Sequence, residues 1–223
     1  MRIDVLIPSA GIGKRFSNSV KKQFFKMKDK PILYYTLDKL KRAHDFNHFI
    51  IGVLKEDFEL AEQSAYLANL KSFELVEGCE KRQDTVYSCL SKSRSDFVMV
   101  HDAVRPFVSQ DVIRKTIDLG LQTGAAICVL PVKDTLKLVK GDKICSTVDR
   151  NKYVLTHTPQ VFKTIILTKA LEYVRTKNIN ITDDAQAVEI IDVDINYTLS
   201  NYENIKITFL EDLRLAEYLI DKI

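Results

Sequence analysis

Five short, predominantly apolar runs recur along the chain, at residues 5–7, 49–54, 73–76, 97–100 and 125–130. Consecutive apolar positions mark strands covered on both faces, which is the habit of a parallel sheet. Stretches with helical spacing lie between them. Pro31 opens one, with Leu33, Leu37 and Leu40 on a single face. Others cover 56–70, 84–90 and 109–121, the last with Ser109 placed to cap its N-terminus. Helical patterning returns at 165–174, at 183–191 and from Leu210, and Ile205 to Thr208 reads as a late strand. Strand–helix alternation of this kind predicts an α/β fold, a parallel sheet wrapped by helices. No internal repeat, linker or low-complexity segment divides the 223 residues, so one domain is expected over 1–223.

The alternation breaks between Pro131 and Pro159. Leu136, Leu138 and Ile144 alternate there with lysines around Gly141-Asp142, the pattern of a β-hairpin turning at 140–142. The segment has too little apolar content for a core of its own. An arm over residues 132–157 is therefore expected to rest on a second subunit.

Composition narrows the function. Lys and Arg number 33 against 30 Asp and Glu, a net charge of +3 with the signs interspersed, which argues against a dedicated nucleic-acid binder. No apolar run approaches the ~20 residues that span a bilayer. Cys79, Cys89, Cys128 and Cys145 stand far apart without metal-ligand spacing, so free thiols and a cytoplasmic setting are expected.

Chemistry-bearing residues concentrate where strands end. Ser9-Ala10-Gly11-Ile12-Gly13-Lys14-Arg15 follows the first strand, where parallel sheets expose backbone N–H groups to phosphate. Phe16 stands where a dinucleotide fingerprint needs a third glycine, and the glycine spacing does not fit a Walker loop. With Arg15 and Lys22 beside it, the loop suits a polyanion such as a triphosphate; a Gly-rich turn with solvated charges is the alternative. His101-Asp102-Ala103-Val104-Arg105-Pro106 follows the fourth strand, either as a site for phosphate, sugar or metal or as a salt bridge shaping the turn. Glu77 to Arg82 follows the third strand. Thr182-Asp183-Asp184 reads as a helix cap, Lys206 as a solvated strand lysine, and Asp192-Val193-Asp194 as surface charge. His44, His48 and His157 show no catalytic or metal spacing.

In order, these motifs resemble the nucleotidyltransferases, and among them the 2-C-methyl-D-erythritol 4-phosphate cytidylyltransferase family. The family's Pro-Ala-Ala-Gly-x-Gly-x-Arg is similar to Pro8-Ser9-Ala10-Gly11-Ile12-Gly13-Lys14-Arg15, and its Pro-Lys-Gln to Lys21-Lys22-Gln23. The 101–106 string, Pro131-Val132-Lys133-Asp134-Thr135, Thr147-Val148-Asp149-Arg150, Thr158-Pro159-Gln160, Thr182-Asp183-Asp184-Ala185 and Asn204-Ile205-Lys206-Ile207-Thr208 follow in sequence. The chain departs from the pattern at Ser9, Lys21, Cys79, Thr85, Gln186 and Leu210.

The resemblance implies a Rossmann-like, mostly parallel sheet of the nucleotide-diphospho-sugar transferase type with a protruding β-arm. It implies transfer of CMP from CTP to a polyol phosphate, with Mg2+ carried mainly on the CTP phosphates. Arg15 and Lys22 would stabilise the transition state, and Arg150 and Lys206 would hold the attacking phosphate. Ala10, Gly11, Gly13, Gly78, Thr85 and Ala103 would bind the nucleotide. Asp102, Arg105, Thr135, Thr158 and Thr182 would line the substrate side. A homodimer whose arm reaches over the partner's site is also implied. A ribitol 5-phosphate cytidylyltransferase shares the 101–106 string, but residues 132–137 and 147–151 resemble the erythritol enzymes more. A Rossmann dehydrogenase is disfavoured by the missing glycine, and a non-catalytic nucleotide sensor by the full set of cations.

Overall fold

Strand β1 (Ile3–Pro8) is buried almost throughout, and its side chains alternate between two cores. Val5 and Ile7 face one core, with Phe49, Ile51 and Met99, while Leu6 faces the other, with Ile50, Val98 and Val100. That two-sided burial is why the run carries no polar alternation. Asp4 is the one acid in it. Its buried carboxylate accepts hydrogen bonds from Ser93 Oγ and Ser95 Oγ, both at 2.7 Å, and from Asn47 Nδ2 and the Arg94 amide, both at 3.1 Å. Burial pushes its pKa up, but these four donors outweigh that and hold it below the usual value.

A computed structural model describes residues 1–11, 16 and 20–222. After β1 come a small ladder of β2 (Lys26–Met27) with β3 (Lys30–Pro31), helix α1 (Ile32–Ala43), β4 (His48–Val53), α2 (Phe58–Leu67), β5 (Phe73–Glu77), α3 (Arg82–Leu90) and β6 (Phe97–Val100). Then follow α4 (Gln110–Thr123), β7 (Ala125–Pro131), β8 (Lys137–Lys140), β9 (Lys143–Thr147), β10 (Val154–Lys163), α5 (Thr164–Thr176), α6 (Asp184–Ile190), β11 (Asn196–Leu199) and α7 (Asp212–Ile220). Seven strands form the central sheet in the order β11-β7-β10-β6-β1-β4-β5. Six run the same way, and β10 runs against both of its neighbours. Helices α1, α2 and α4 cover one face, and α3, α5 and α6 the other.

Local signals explain the helices. Leu33, Leu37 and Leu40 of α1 are fully buried, each worth ~1.5–3 kcal/mol relative to exposure. Ser109 caps α4 by accepting from the Val112 amide, and Gly124 ends it at φ 90°. The expected helix over 56–70 is shorter than its pattern: a 3-10 turn (Lys55–Asp57) precedes α2, which stops at Leu67.

Three expectations change. β10 and β11 are strands where the sequence pattern showed none. Residues 205–208 form no sheet strand; they lie beside the loop after β6, with the Ile207 amide donating to the Val104 carbonyl at 3.0 Å. Ile205 and Ile207 turn into a third core with Val104, Phe107 and α7, so alternation there reflects packing without a ladder. The hairpin itself forms as expected. β8 and β9 pair antiparallel around Gly141, at φ 56°, and every residue of both strands is exposed.

Candidate active site

The C-terminal ends of β1, β5 and β6 meet at one cleft. Its lining includes Ser9, Ala10 and Gly11 after β1, Cys79 and Glu80 after β5, Arg82 and Thr85 of α3, Asp102 and Ala103 after β6, Lys22, and Lys206. Gly78 sits behind this lining. A Cβ there would come within 2.5 Å of the Ala10 Cβ, so only glycine lets the two loops approach this closely. The Cys79 amide donates to Thr85 Oγ1 at 2.9 Å, so the threonine hydroxyl shapes the Gly78-Cys79 turn. Gln23 Nε2 donates to the Ser9 carbonyl at 2.7 Å and secures the segment carrying Lys22 to the loop after β1.

A second cleft adjoins the first. Thr156, His157, Thr158 and Gln160 of β10 line it, with Arg105, Thr182, Asp183 and Gln186. Arg82, Asp102 and Lys206 line both clefts and form the wall they share. In that wall Asp102 Oδ2 lies 2.8 Å from Lys206 Nζ and 3.4 Å from Arg105 Nε, and Oδ1 lies 3.2 Å from Arg82 Nε. Arg82 Nη1 reaches Asp184 Oδ2 at 2.8 Å. Burial would raise the Asp102 pKa, but Arg82, Lys206 and Arg105 together hold it well below the carboxylate range. Burial likewise works against the Arg82 charge, and Asp184 and Asp102 outweigh it, so the guanidinium stays protonated. The result is a paired set of charges, buried at Asp102 and Arg105 and partly open at Arg82 and Lys206, with Lys206 aimed by a carboxylate that never titrates near neutral pH.

The substrate-side residues are held from behind. Thr158 Oγ1 accepts from the Asp102 amide at 3.0 Å. Buried Asn204 donates from Nδ2 to the Thr158 carbonyl at 3.0 Å, and its own carbonyl accepts from Arg105 Nη1 at 2.7 Å. Arg105 is thus both a cleft residue and the brace for the turn after β6. Asp183 caps α6 as expected, accepting from the Gln186 amide at 3.0 Å and from Gln160 Nε2 at 2.8 Å. Gln186 Oε1 in turn accepts from the Thr182 amide at 2.7 Å and from its hydroxyl at 3.1 Å, which gives that departure a local purpose.

The structure brings Ala10, Gly11, Lys22, Thr85, Asp102, Ala103 and Lys206 to the first cleft, with Gly78 behind it. It brings Arg105, Thr158 and Thr182 to the second. Gly13 and Arg15 lie outside the described residues. Thr135 and Arg150 line neither cleft of their own chain; both are exposed on the arm, where Arg150 Nη1 donates to the Lys133 carbonyl. Lys206 corrects the surface reading of its motif, since Asp102 engages its ammonium. Asp192 and Asp194 are exposed and line neither cleft.

Sequence reading missed Arg82 and His157. Arg82 follows Gly78 by four residues, a signal the motif string contained. His157 Nδ1 lies 3.2 Å from Ser200 Oγ, and burial, then nearby Arg105, pushes its pKa down to about 4, so the ring in the second cleft is neutral at pH 7. Among the described residues no three His, Cys, Asp or Glu side chains gather to hold a metal ion. Both oxygens of Asp102, the acid in the shared wall, are already paired with cations. Among the described residues the side chains therefore do not build a metal cage here.

Two clefts that share a wall of Arg82, Asp102 and Lys206 lie at the strand ends of a mostly parallel sheet, and the family this chain matches makes it a nucleotidyltransferase. Over residues 3–222 the chain matches the family model described as 2-C-methyl-D-erythritol 4-phosphate cytidylyltransferase, and it belongs to that family. It is 36% identical over 225 residues to the enzyme of that name from Clostridium botulinum (strain Loch Maree / Type A3), covering 98% of this chain and 97% of the relative. It is 36% identical over 220 residues to the one from Desulforamulus reducens, covering 96% and 94%. Among solved structures, the 4-diphosphocytidyl-2C-methyl-D-erythritol synthase of Anaerococcus prevotii superposes with a TM-score of 0.87 at 25% identity, covering 99% of this chain and 96% of that one.

Proposed function

We propose that the two clefts take CTP and 2-C-methyl-D-erythritol 4-phosphate side by side and release 4-diphosphocytidyl-2-C-methyl-D-erythritol and pyrophosphate. The observation that carries this reading is the shared wall of Arg82, Asp102 and Lys206. A phosphate in the second cleft and a triphosphate in the first would meet across it.

The nucleophile is already an anionic phosphate oxygen, so no general base is required. It attacks the α-phosphorus of CTP, a P–O bond forms, and the bond to the β-phosphate breaks to release pyrophosphate. Negative charge crowds at the α-phosphorus, and preorganised cations are the chief means of lowering that barrier. Lys206, aimed by Asp102, holds the attacking phosphate. Lys22, with Arg15, stabilises charge on the triphosphate. Ala10, Gly11, Gly13 and Ala103 frame cytosine and ribose, and Thr85 keeps the Gly78 turn in shape. Mg2+, when bound with CTP, would supply charge neutralisation on the phosphates beside Lys22 and Arg15. Arg150 and Thr135 complete the second cleft of a partner subunit. Leu138, Val139 and Ile144 on the arm support that dimer, because each is more than half exposed within the chain. No helix among the described residues is long and apolar enough to cross a membrane. Four free cysteines support a cytoplasmic enzyme.

Pyrophosphate release tests the reading. CTP with the erythritol phosphate is expected to turn over far faster than CTP with ribitol 5-phosphate, and CTP faster than UTP, ATP or GTP. Equal kcat/KM for the two polyol phosphates would overturn the substrate assignment, and equal kcat/KM for CTP and UTP the nucleotide assignment.

A further inference from the structure

Lys21, immediately before the short turn Lys22–Phe24, carries an interaction that no part of the reaction uses. Its Nζ lies 2.7 Å from Glu56 Oε1 and 2.7 Å from Asp57 Oδ2, on the turn that follows β4. The Asp57 side chain is 6% exposed, that of Glu56 71%. A buried carboxylate such as Asp57 must keep its partner. Two residues beyond Lys21, Gln23 is fixed to the Ser9 carbonyl at 2.7 Å and reaches the Gly11 carbonyl at 3.4 Å. The segment is thus tied at 21 to one loop and at 23 to another, with Lys22 between the ties and in the wall of the nucleotide cleft. Lys21 itself lines neither cleft.

We propose that the ion pairs of Lys21 with Asp57 and Glu56 form a clamp that positions Lys22 against the triphosphate. Lys21 is a positioning residue: it sets where the next ammonium stands and touches no substrate. The inference rests on the reading of Lys22 as a transition-state cation. Charge placement matters because a cation displaced by about 1 Å from developing charge can lose on the order of 10²-fold in rate. Glu56 is exposed, so its leg of the clamp is screened by salt, whereas the Asp57 leg is shielded.

The test is a double-mutant cycle read by pyrophosphate release, with thermal melts to certify folding. Lys21→Met is expected to lower kcat about tenfold while changing the KM for CTP less than about threefold. Lys21→Arg, which keeps the pairing, is expected to retain kcat within about threefold of wild type. In a Lys22→Ala background the Lys21→Met change is expected to add nothing, since no ammonium remains to be placed. A purely structural role would lower kcat by the same factor in both backgrounds, and that result overturns the clamp. So does wild-type kcat in folded Lys21→Met. Should Lys21→Met fold poorly, Lys21→Met with Asp57→Asn removes the clamp without leaving a buried charge unpaired, and it is held to the same outcomes. Wild-type turnover in Lys22→Ala alone would instead remove the reading of Lys22, and the clamp with it.

Discussion

Behind the first cleft, Gly78 leaves no room for a side chain against Ala10. A methyl group on Gly78 would lie 2.5 Å from the Ala10 Cβ and 3.1 Å from Thr85 Cγ2, so one loop must retreat. Gly78→Ala is expected to raise the KM for CTP about tenfold or more while leaving the polyol side intact, as measured by initial rates with each substrate varied in turn. Unchanged KM for CTP would show that these loops do not shape the nucleotide subsite. The position of Gly78 after a strand on the ligand edge was legible in the sequence, whereas its nucleotide role came from the resemblance. Arg82 was not, because its meaning lies in partners 20 and 102 residues away, Asp102 and Asp184. A local pattern shows that an arginine opens α3; it does not show that two buried carboxylates wait for it. The residues around Lys206 alone suggest a solvated lysine for the same reason, its partner Asp102 being contributed by a distant strand end, and only the resemblance placed it at the site.

Among the elements, the parallel strands and their helices were legible because burial on both faces writes itself as unbroken apolar runs. β10 was not. Its first three residues, Val154 to Thr156, are exposed, its register shifts between His157 and Gln160, and its polar Gln160 is buried at the second cleft. Each property erases a period-two signal. β11 is a short edge strand with only partial burial, and gives little more. The arm is the opposite case, legible because it lacks a core. Its strands are exposed from end to end, so it contributes almost no buried apolar surface within the chain. Replacing residues 137–147 with a short glycine linker is therefore expected to leave the secondary structure of the rest of the chain intact by circular dichroism. The dimer is expected to be lost by sedimentation. A shortened chain that still sediments as a dimer would place the interface elsewhere.

At the scale of the whole molecule, one chain supplies both clefts but leaves Thr135 and Arg150 outside them. If these residues serve a partner, defects on the two sides are separable. Arg15→Ala and Arg150→Ala, each nearly inactive alone, are refolded together in equal amounts. Half of the dimers are then mixed, and each mixed dimer has one site with neither defect. Activity is expected to recover to about a quarter of wild type, as random pairing in a two-fold dimer requires. Activity at the single-mutant floor, with subunit exchange confirmed separately, would mean that each site is built from one chain.

The place of β10 between β6 and β7 has a consequence for how the chain is made. Once residue 100 has emerged, β5, β4, β1 and β6 are all present and adjacent in the sheet order, so this half of the sheet can pair before the rest is made. β7 emerges next and finds no neighbour, because β6 is not its partner and β10 has yet to be synthesised. It must wait, apolar and unpaired, until residues 154–163 arrive to join the two halves, and long-range pairing of this kind is slow and exposed to error. The arm is translated during that wait. The ribosome thus delivers the strand ends beneath the first cleft early, the arm second, and Lys206, which lines both clefts, only after β10.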